Sequence, residues 1–197
     1  SVHVSKSLLG RVIDPLGRPL DDAGTLPNSL NSGFAGRQIE PLKRNSVCEP
    51  LDVGVRAING VLTLAKGQRV GLIAGSGVGK STLLGMMTRY TKADVVILAL
   101  VGERGREASE FITEVLEPEG LANSVVVLAT SDTPAVLRKR GADTAHLLAE
   151  FFRDQGKDVL LLCDSLTRVA QAHREIGLAA GEPPTNKGYP PSVFSQL

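Results

Sequence analysis

Residues 74–82 read Ala-Gly-Ser-Gly-Val-Gly-Lys-Ser-Thr, between an apolar run, Arg69-Val70-Gly71-Leu72-Ile73-Ala74, and a segment of helical spacing, Lys80 to Tyr90. A predicted strand, a glycine-rich turn and a predicted helix in that order form the context in which a phosphate-binding loop works. Gly75, Gly77 and Gly79 allow successive backbone N–H groups to turn inward around a polyphosphate, with Ser76 and Val78 between them. The helix N-terminus adds positive partial charge there. Lys80 is placed to reach the β- and γ-phosphates, Ser81 to coordinate magnesium, and Thr82 to complete the loop. Ala74 stands where the strict pattern begins with Gly. The competing reading is an ordinary glycine-rich turn carrying an incidental Gly-Lys-Ser.

Two strand ends extend the pattern. Val159-Leu160-Leu161-Leu162-Cys163-Asp164 is an apolar strand closed by an acid, which places a carboxylate beside a magnesium shell. The plainer reading makes Asp164 the cap of the helix that begins at Leu166. The second apolar strand, Asp94 to Val101, runs into Gly102-Glu103-Arg104-Gly105-Arg106-Glu107. Carboxyl ends of parallel strands face the ligand crevice, so Glu103 is expected near the γ-phosphate, where a carboxylate orients and polarises water. Arg104 is a candidate for phosphate or a neighbouring subunit. Arg106 and Glu107 are read as solvated, with Glu107 near a helix N-terminus. Arg168 lies four residues after Asp164, which fits either a local ion pair or a contact to the phosphate region.

The remaining periodicity sets the fold class. Predicted strands continue at Ser124 to Ala129 and Asp158 to Cys163, and helices at Glu107 to Leu116 and from Leu166 to Ile176. A long helix over Thr133 to Asp154 is expected to be capped by Asp132 or Thr133 and interrupted at Gly141. Continuous apolar strands alternating with helices predict an α/β core with a mainly parallel sheet covered on both faces. Residues 1–50 are rich in Gly and Pro and hold only short extended pieces, such as Leu8 to Ile13 closed by the turn Asp14-Pro15-Leu16-Gly17. They read as a linker wrapped over a larger domain, or as the last strands of a preceding β domain. The division is therefore 1–50 and 51–197.

Composition excludes several classes. With 22 Lys+Arg against 21 Asp+Glu, the net charge of +1 gives no basic surface for nucleic acid. Five Phe and two Tyr, with no Trp, leave few rings on which bases could stack. Cys48 and Cys163 form no disulfide pattern, so a reducing compartment is expected. The longest apolar run, Val95 to Val101, is far short of the roughly 20 residues needed to cross a bilayer. His3, His146 and His173 show no metal-ligand spacing, and Phe151-Phe152 are read as core.

Taken together, the motifs resemble the rotary-type hexameric ATPases. The resemblance rests on the phosphate loop with Leu83-Leu84-Gly85-Met86-Met87, on Val101 to Glu107, and on Asp164-Ser165-Leu166-Thr167-Arg168. The segments Arg174 to Pro184 and Lys187 to Phe194 are similar more narrowly to the flagellum-specific export ATPase and the related type III secretion ATPases. So are Leu9 to Asp14 and Pro50 to Asn59. The resemblance implies a RecA-like P-loop core that assembles as a homohexamer with ATP between protomers. By that resemblance Lys80 and Ser81 hold phosphates and magnesium, Asp164 supports the metal, and Glu103 activates water, with Arg104 beside it and Arg168 near the γ-phosphate. It further implies ATP hydrolysis coupled to protein export in the cytoplasm, at the periphery of an inner-membrane export apparatus. The implied partners are a stator-like regulator, a central stalk, export chaperones and substrates, and an export gate.

Two alternatives share the architecture. An RNA-translocating termination helicase has a similar Asp-Ser-Leu-Thr-Arg segment but would need a basic, aromatic-rich RNA surface. A non-hydrolysing nucleotide-binding assembly subunit would be favoured by Gln at position 103, where this chain has Glu. Family members continue on both sides of the residues matched here, so the chain is expected to be a central fragment. Because no arginine finger can be placed within it, the expectation is Mg-ATP binding with weak turnover.

Overall fold

The computed structural model describes residues 2–26, 30–32, 40, 42, 44–75 and 77–196. Its centre is a four-stranded parallel sheet in the order β2 (Arg11–Ile13), β5 (Ser124–Ala129), β4 (Val95–Val101), β6 (Val159–Asp164). The registers run Ile97 beside Val125 on one side and Ile97 beside Leu161 on the other. β4 is central and buried at all seven positions, and its side chains alternate between two cores. Val95, Ile97, Ala99 and Val101 pack with the long helix α4 (Ala135–Asp154). Val96, Leu98 and Leu100 pack with Leu84 and Met87 of α1 (Lys80–Tyr90) and with Phe111 and Leu116. Period-two alternation of wholly apolar residues produces this two-sided burial, and the expected α/β class is the observed one.

The first residues are part of this core. β2 pairs with β5, and Val2, Val4, Leu8 and Ile13 are buried beneath α4. A second, two-stranded antiparallel sheet joins β1 (Val2–Val4) to β3 (Leu30–Ser32). The turn expected at Asp14 to Gly17 forms, with the Asp14 carboxylate accepting from the N–H groups of Leu16 and Arg18 at 2.8 Å. Arg11 and Asp21 lock the segment: the guanidinium donates twice to Asp21 Oδ1, at 2.9 and 2.6 Å, and the Val12 N–H donates to Asp21 Oδ2. The Arg11 side chain holds the Asp21 carboxyl below the usual range.

Three expectations fail. Arg69 to Ala74 makes no strand; it is exposed coil, with Ile73 fully exposed. Both its ends are tied beside β6, since Lys66 pairs with Asp158 at 2.7 Å and Lys80 with Asp164 at 2.5 Å. An apolar run marks a segment suited to burial, but a strand also needs cover on its faces, and among the described residues nothing covers this one. The long helix α4 begins at Ala135 behind Pro134, which has no side-chain cap. Thr133 instead bonds Thr130 at 3.1 Å, and the Asp132 carboxylate turns back to Thr130. The helix also continues through Gly141, where the missing side chain lets it lie on the sheet: a Cβ there would sit 3.2 Å from Ala129 Cβ. Gly141→Leu is therefore expected to cost about 1–3 kcal/mol by overpacking, read as a lower midpoint in urea at unchanged slope.

The helix expected at Glu107 to Leu116 is longer and irregular. It comprises α2 (Gly105–Glu110), a π-helical turn (Phe111–Leu116) and α3 (Glu117–Ala122). α5 (Leu166–Ala179) follows β6, and a short helix α6 (Pro191–Gln196) packs on it. No helix among the described residues is long and apolar enough to cross a membrane.

Candidate functional site

The carboxyl ends of β4 and β6 and the N-terminus of α1 converge on one cavity of about 750 Å³. Gly77 (φ +76°) and Gly79 (φ +90°) adopt the left-handed conformation that folds the loop back before α1 starts at Lys80. Lys80 Nζ donates to Asp164 Oδ1 at 2.5 Å, so the loop lysine and the strand-end acid, 84 residues apart, meet directly. Asp164 is only 4% exposed, a buried carboxylate beside a cation. The capping reading of Asp164 does not hold. Ser165 is the N-cap of α5, its Oγ accepting from the Arg168 N–H at 3.4 Å, while Asp164 borders the cavity and accepts from Lys80 through Oδ1.

Glu103 lies at the mouth of the same cavity, half-buried. Its backbone is held from β5, because the Ser131 N–H donates to the Glu103 carbonyl at 2.8 Å. Burial, then the nearby Asp164 charge, pushes the Glu103 carboxyl above the ordinary value, while Lys80 pulls it back down. A carboxyl whose ionised form is disfavoured and that borders a cavity is a candidate for handling a proton.

The other expected residues fall into place unequally. Gly75, Gly77, Gly79, Ser81 and Thr82 line the cavity, and Ser76 lies outside the described residues. Val78 does not line it; it borders a small apolar hollow with Leu72 and Leu83. Arg168 makes no ion pair with Asp164. Its stem runs over Gly102, where a Cβ would come within 2.7 Å of Arg168 Cβ, and the residue borders the cavity. Arg104 is 81% exposed and pairs with Glu107 at 3.0 Å. Arg106 pairs with Glu110 and Glu107 stands in the first turn of α2, both solvated as expected; Glu107 also borders the cavity. Ser131 was not signalled by any motif; only its place just past a strand end could have marked it.

The residues suit a magnesium ion, although among the described residues no cluster of three His, Cys, Asp or Glu exists to cage a metal. Magnesium keeps several waters and takes one or two protein oxygens plus phosphate oxygens. The Ser81 hydroxyl and the buried Asp164 carboxylate, both bordering the cavity, are protein oxygens of that kind.

A parallel sheet with a glycine-rich loop entering a helix, an acid closing one strand and a glutamate closing another defines a P-loop nucleotide-binding core. Comparison with known proteins makes this specific: the model of the ATP synthase alpha/beta family, nucleotide-binding domain, matches residues 54–197, and the chain belongs to that family. It is similar to the flagellum-specific ATP synthase of Pseudomonas aeruginosa, 58% identical over 191 residues, covering 97% of this chain and 42% of that protein. It is 50% identical over 197 residues to the type 3 secretion system ATPase of Xanthomonas euvesicatoria, covering 100% and 45%. Among solved structures, the assembled ATPase EscN with its central stalk EscO, from enteropathogenic E. coli, superposes with a TM-score of 0.93 at 50% identity, covering all of this chain and 48% of that one. The chain thus spans a little under half the length of the curated relatives it matches.

Proposed function

We propose that this chain is the ATP-hydrolysing core of a flagellar or type III secretion export ATPase. The observation that carries the proposal is the meeting of Lys80, Ser81, Glu103 and Asp164 around one cavity from three separate elements. In this reading the loop amides and Lys80 bind the β- and γ-phosphates, with Lys80 leaving Asp164 for them. Ser81 and Asp164 would hold magnesium, which when bound screens the phosphate charge. Glu103 orients a water on the γ-phosphorus and accepts its proton; the new P–O bond forms as the bond to the ADP oxygen breaks. Arg168 and Arg104 face phosphate or a neighbouring protomer.

The assembly is proposed to be a homohexamer with ATP between protomers. Its other partners are a stator-like regulator, a central stalk, export chaperones and substrates, and a membrane export gate, met at the cytoplasmic periphery of the inner membrane. The relatives' names and the stalk complex support this placement. Glu rather than Gln at position 103 favours hydrolysis over a passive nucleotide-holding role.

The test is Mg-ATP binding and turnover measured against oligomer size in the same samples. Saturable binding that Lys80→Ala abolishes, with specific activity rising as the oligomer forms, is expected. Undetectable nucleotide binding at every protein concentration, or RNA-dependent turnover, would overturn the proposal.

A further inference from the structure

The end of β4 is fixed from both sides. The Gly102 N–H donates to the Ala129 carbonyl of β5 at 2.7 Å, and the Ser165 N–H, at the start of α5, donates to the Val101 carbonyl at 3.4 Å. Between these ties the Arg168 stem crosses Gly102, where a built Cβ would meet Arg168 Cβ at 2.7 Å, Cγ at 2.9 Å and Cδ at 3.2 Å. Rotating the arginine about its side-chain bonds moves Cγ and Cδ but leaves Cβ where the helix puts it. A side chain at position 102 and the first turn of α5 therefore cannot keep their present spacing. Gly102 also has φ +77°, which by itself favours glycine. That conformation does not entail the close approach: Gly10 has φ +79°, and the nearest atom to a Cβ built there is the Ala122 carbonyl oxygen, 4.0 Å away. The same helix turn carries a cation that the cavity leaves unpaired. Lys80 meets Asp164 and Arg104 meets Glu107, whereas the Arg168 side chain makes no ion pair or hydrogen bond among the described residues. A guanidinium beside a cavity and without a carboxylate partner is suited to take a phosphate.

We infer that Gly102 is a positioning residue: its missing side chain lets the first turn of α5 close over the end of β4, which brings the Arg168 guanidinium to the terminal phosphate of a nucleoside triphosphate. The inference rests on the phosphate-binding role proposed above for this cavity. Gly102 touches no phosphate in this arrangement and acts only through Arg168. A diphosphate lacks the group that Arg168 addresses, so the glycine governs preference for triphosphate over diphosphate rather than nucleotide binding as such.

The experiment measures binding of MgADP and of the non-hydrolysable β,γ-imido analogue of MgATP in wild type, Gly102→Asn, Arg168→Ala and the double variant. Asn is chosen because it tolerates the left-handed backbone while carrying the Cβ that Gly102 lacks. Wild type is expected to prefer the imido analogue. With MgADP affinity held within about twofold, Gly102→Asn should reduce that preference about tenfold, the scale of one hydrogen bond to a charged group. In the Arg168→Ala background, where the preference is already reduced, Gly102→Asn should change it by less than about twofold. Equal weakening of both nucleotides, an unchanged preference, or a tenfold effect that persists without the Arg168 guanidinium overturns the inference, as does a wild type that binds the two nucleotides equally. A wild type that binds neither instead overturns the functional proposal itself. Should Gly102→Asn fail to fold, adding Arg168→Gly, which removes all three contacting atoms, is expected to restore folding, read by circular dichroism. A double variant that stays unfolded while Arg168→Gly alone folds overturns the inference.

Discussion

Glu103→Gln is expected to leave Mg-ATP binding intact while lowering hydrolysis about 10²–10⁴-fold, the range a positioned proton acceptor supplies. Gln keeps the size and polarity of Glu, and nothing in the cavity holds phosphate through Glu103, so affinity measured by fluorescent nucleotide titration should barely move. Lys80→Ala separates the two functions, because it removes the cation that meets Asp164 at 2.5 Å and should abolish binding as well. A Glu103→Gln protein hydrolysing at the wild-type rate would remove Glu103 from the reaction. The same variant makes a second, independent prediction about stability. Burial and the neighbouring Asp164 raise the folded-state value of the Glu103 carboxyl. A raised carboxyl adds stability only below its unfolded value, and that stability is lost as pH rises through the folded value. Above that range the ionised group costs stability that Gln does not. The nucleotide-free variant should therefore be no less stable than wild type at neutral pH, with its advantage shrinking as the pH falls through the range where Glu103 takes up its proton. Urea midpoints at pH 8 and pH 4.5 check the sign. If Glu103 has the role proposed for it, a stability cost carried by that carboxylate is the expected trade.

Most of the sheet and the cores of the site were legible because each rests on a local pattern. Ser124–Ala129 is the strand that its apolar run predicts, residue for residue, and Val95–Val101 differs from expectation by one position. That Gly77, Gly79, Lys80 and Asp164 border one cavity was legible because their types and spacing follow a known loop-and-strand pattern. What was missed depends on how separate segments meet. Glu107 is the solvated first-turn acid that its position predicts, and what the pattern does not report is that it also borders the cavity. Ser131 contributes through its backbone N–H, which no side-chain motif reports. Asp132 and Thr133 have the chemistry of a helix cap but are taken up by Thr130, so the loop closes on itself. Gly141 is a helix breaker by propensity and a packing device in place, a difference decided by the 3.2 Å approach to Ala129. The Arg69–Ala74 run was misread for the related reason that pattern reports suitability for burial, and cover depends on the rest of the fold.

The largest stability loss from one small substitution is expected at Gly54. Residues 52–54 form the seat on which the C-terminal end of α1 rests: the Asp52 carbonyl accepts from the Lys92 N–H at 2.8 Å, and the Asp52 carboxylate accepts from the Gly54 N–H and from Asn59. Gly54 itself has φ +74°, and a Cβ built on it would lie 2.1 Å from Tyr90 Cβ and 2.6 Å from the Tyr90 carbonyl carbon and oxygen. Two penalties then add. A non-glycine residue in the left-handed region costs roughly 1–2 kcal/mol, and overpacking against backbone, which cannot rotate away, costs about 1–3 kcal/mol more. Gly54→Ala should therefore lose about 3 kcal/mol or more, a melting-temperature drop of about 6–12 °C for a chain of this size. Gly24→Ala is the internal control. Gly24 has φ +80° with nothing within 4 Å of a built Cβ, so it carries the first penalty without the second. The difference between the two variants measures the contact alone. Equal losses at both positions would show that α1 shifts off its seat at no cost. In that event Lys80, at the opposite end of the helix and roughly 15 Å away at 1.5 Å per residue, should be displaced as well, and Gly54→Ala should weaken nucleotide binding. A loss much larger at Gly54, with nucleotide affinity preserved in the folded fraction, is the expected result, because it means the seat fixes the helix that presents the phosphate loop.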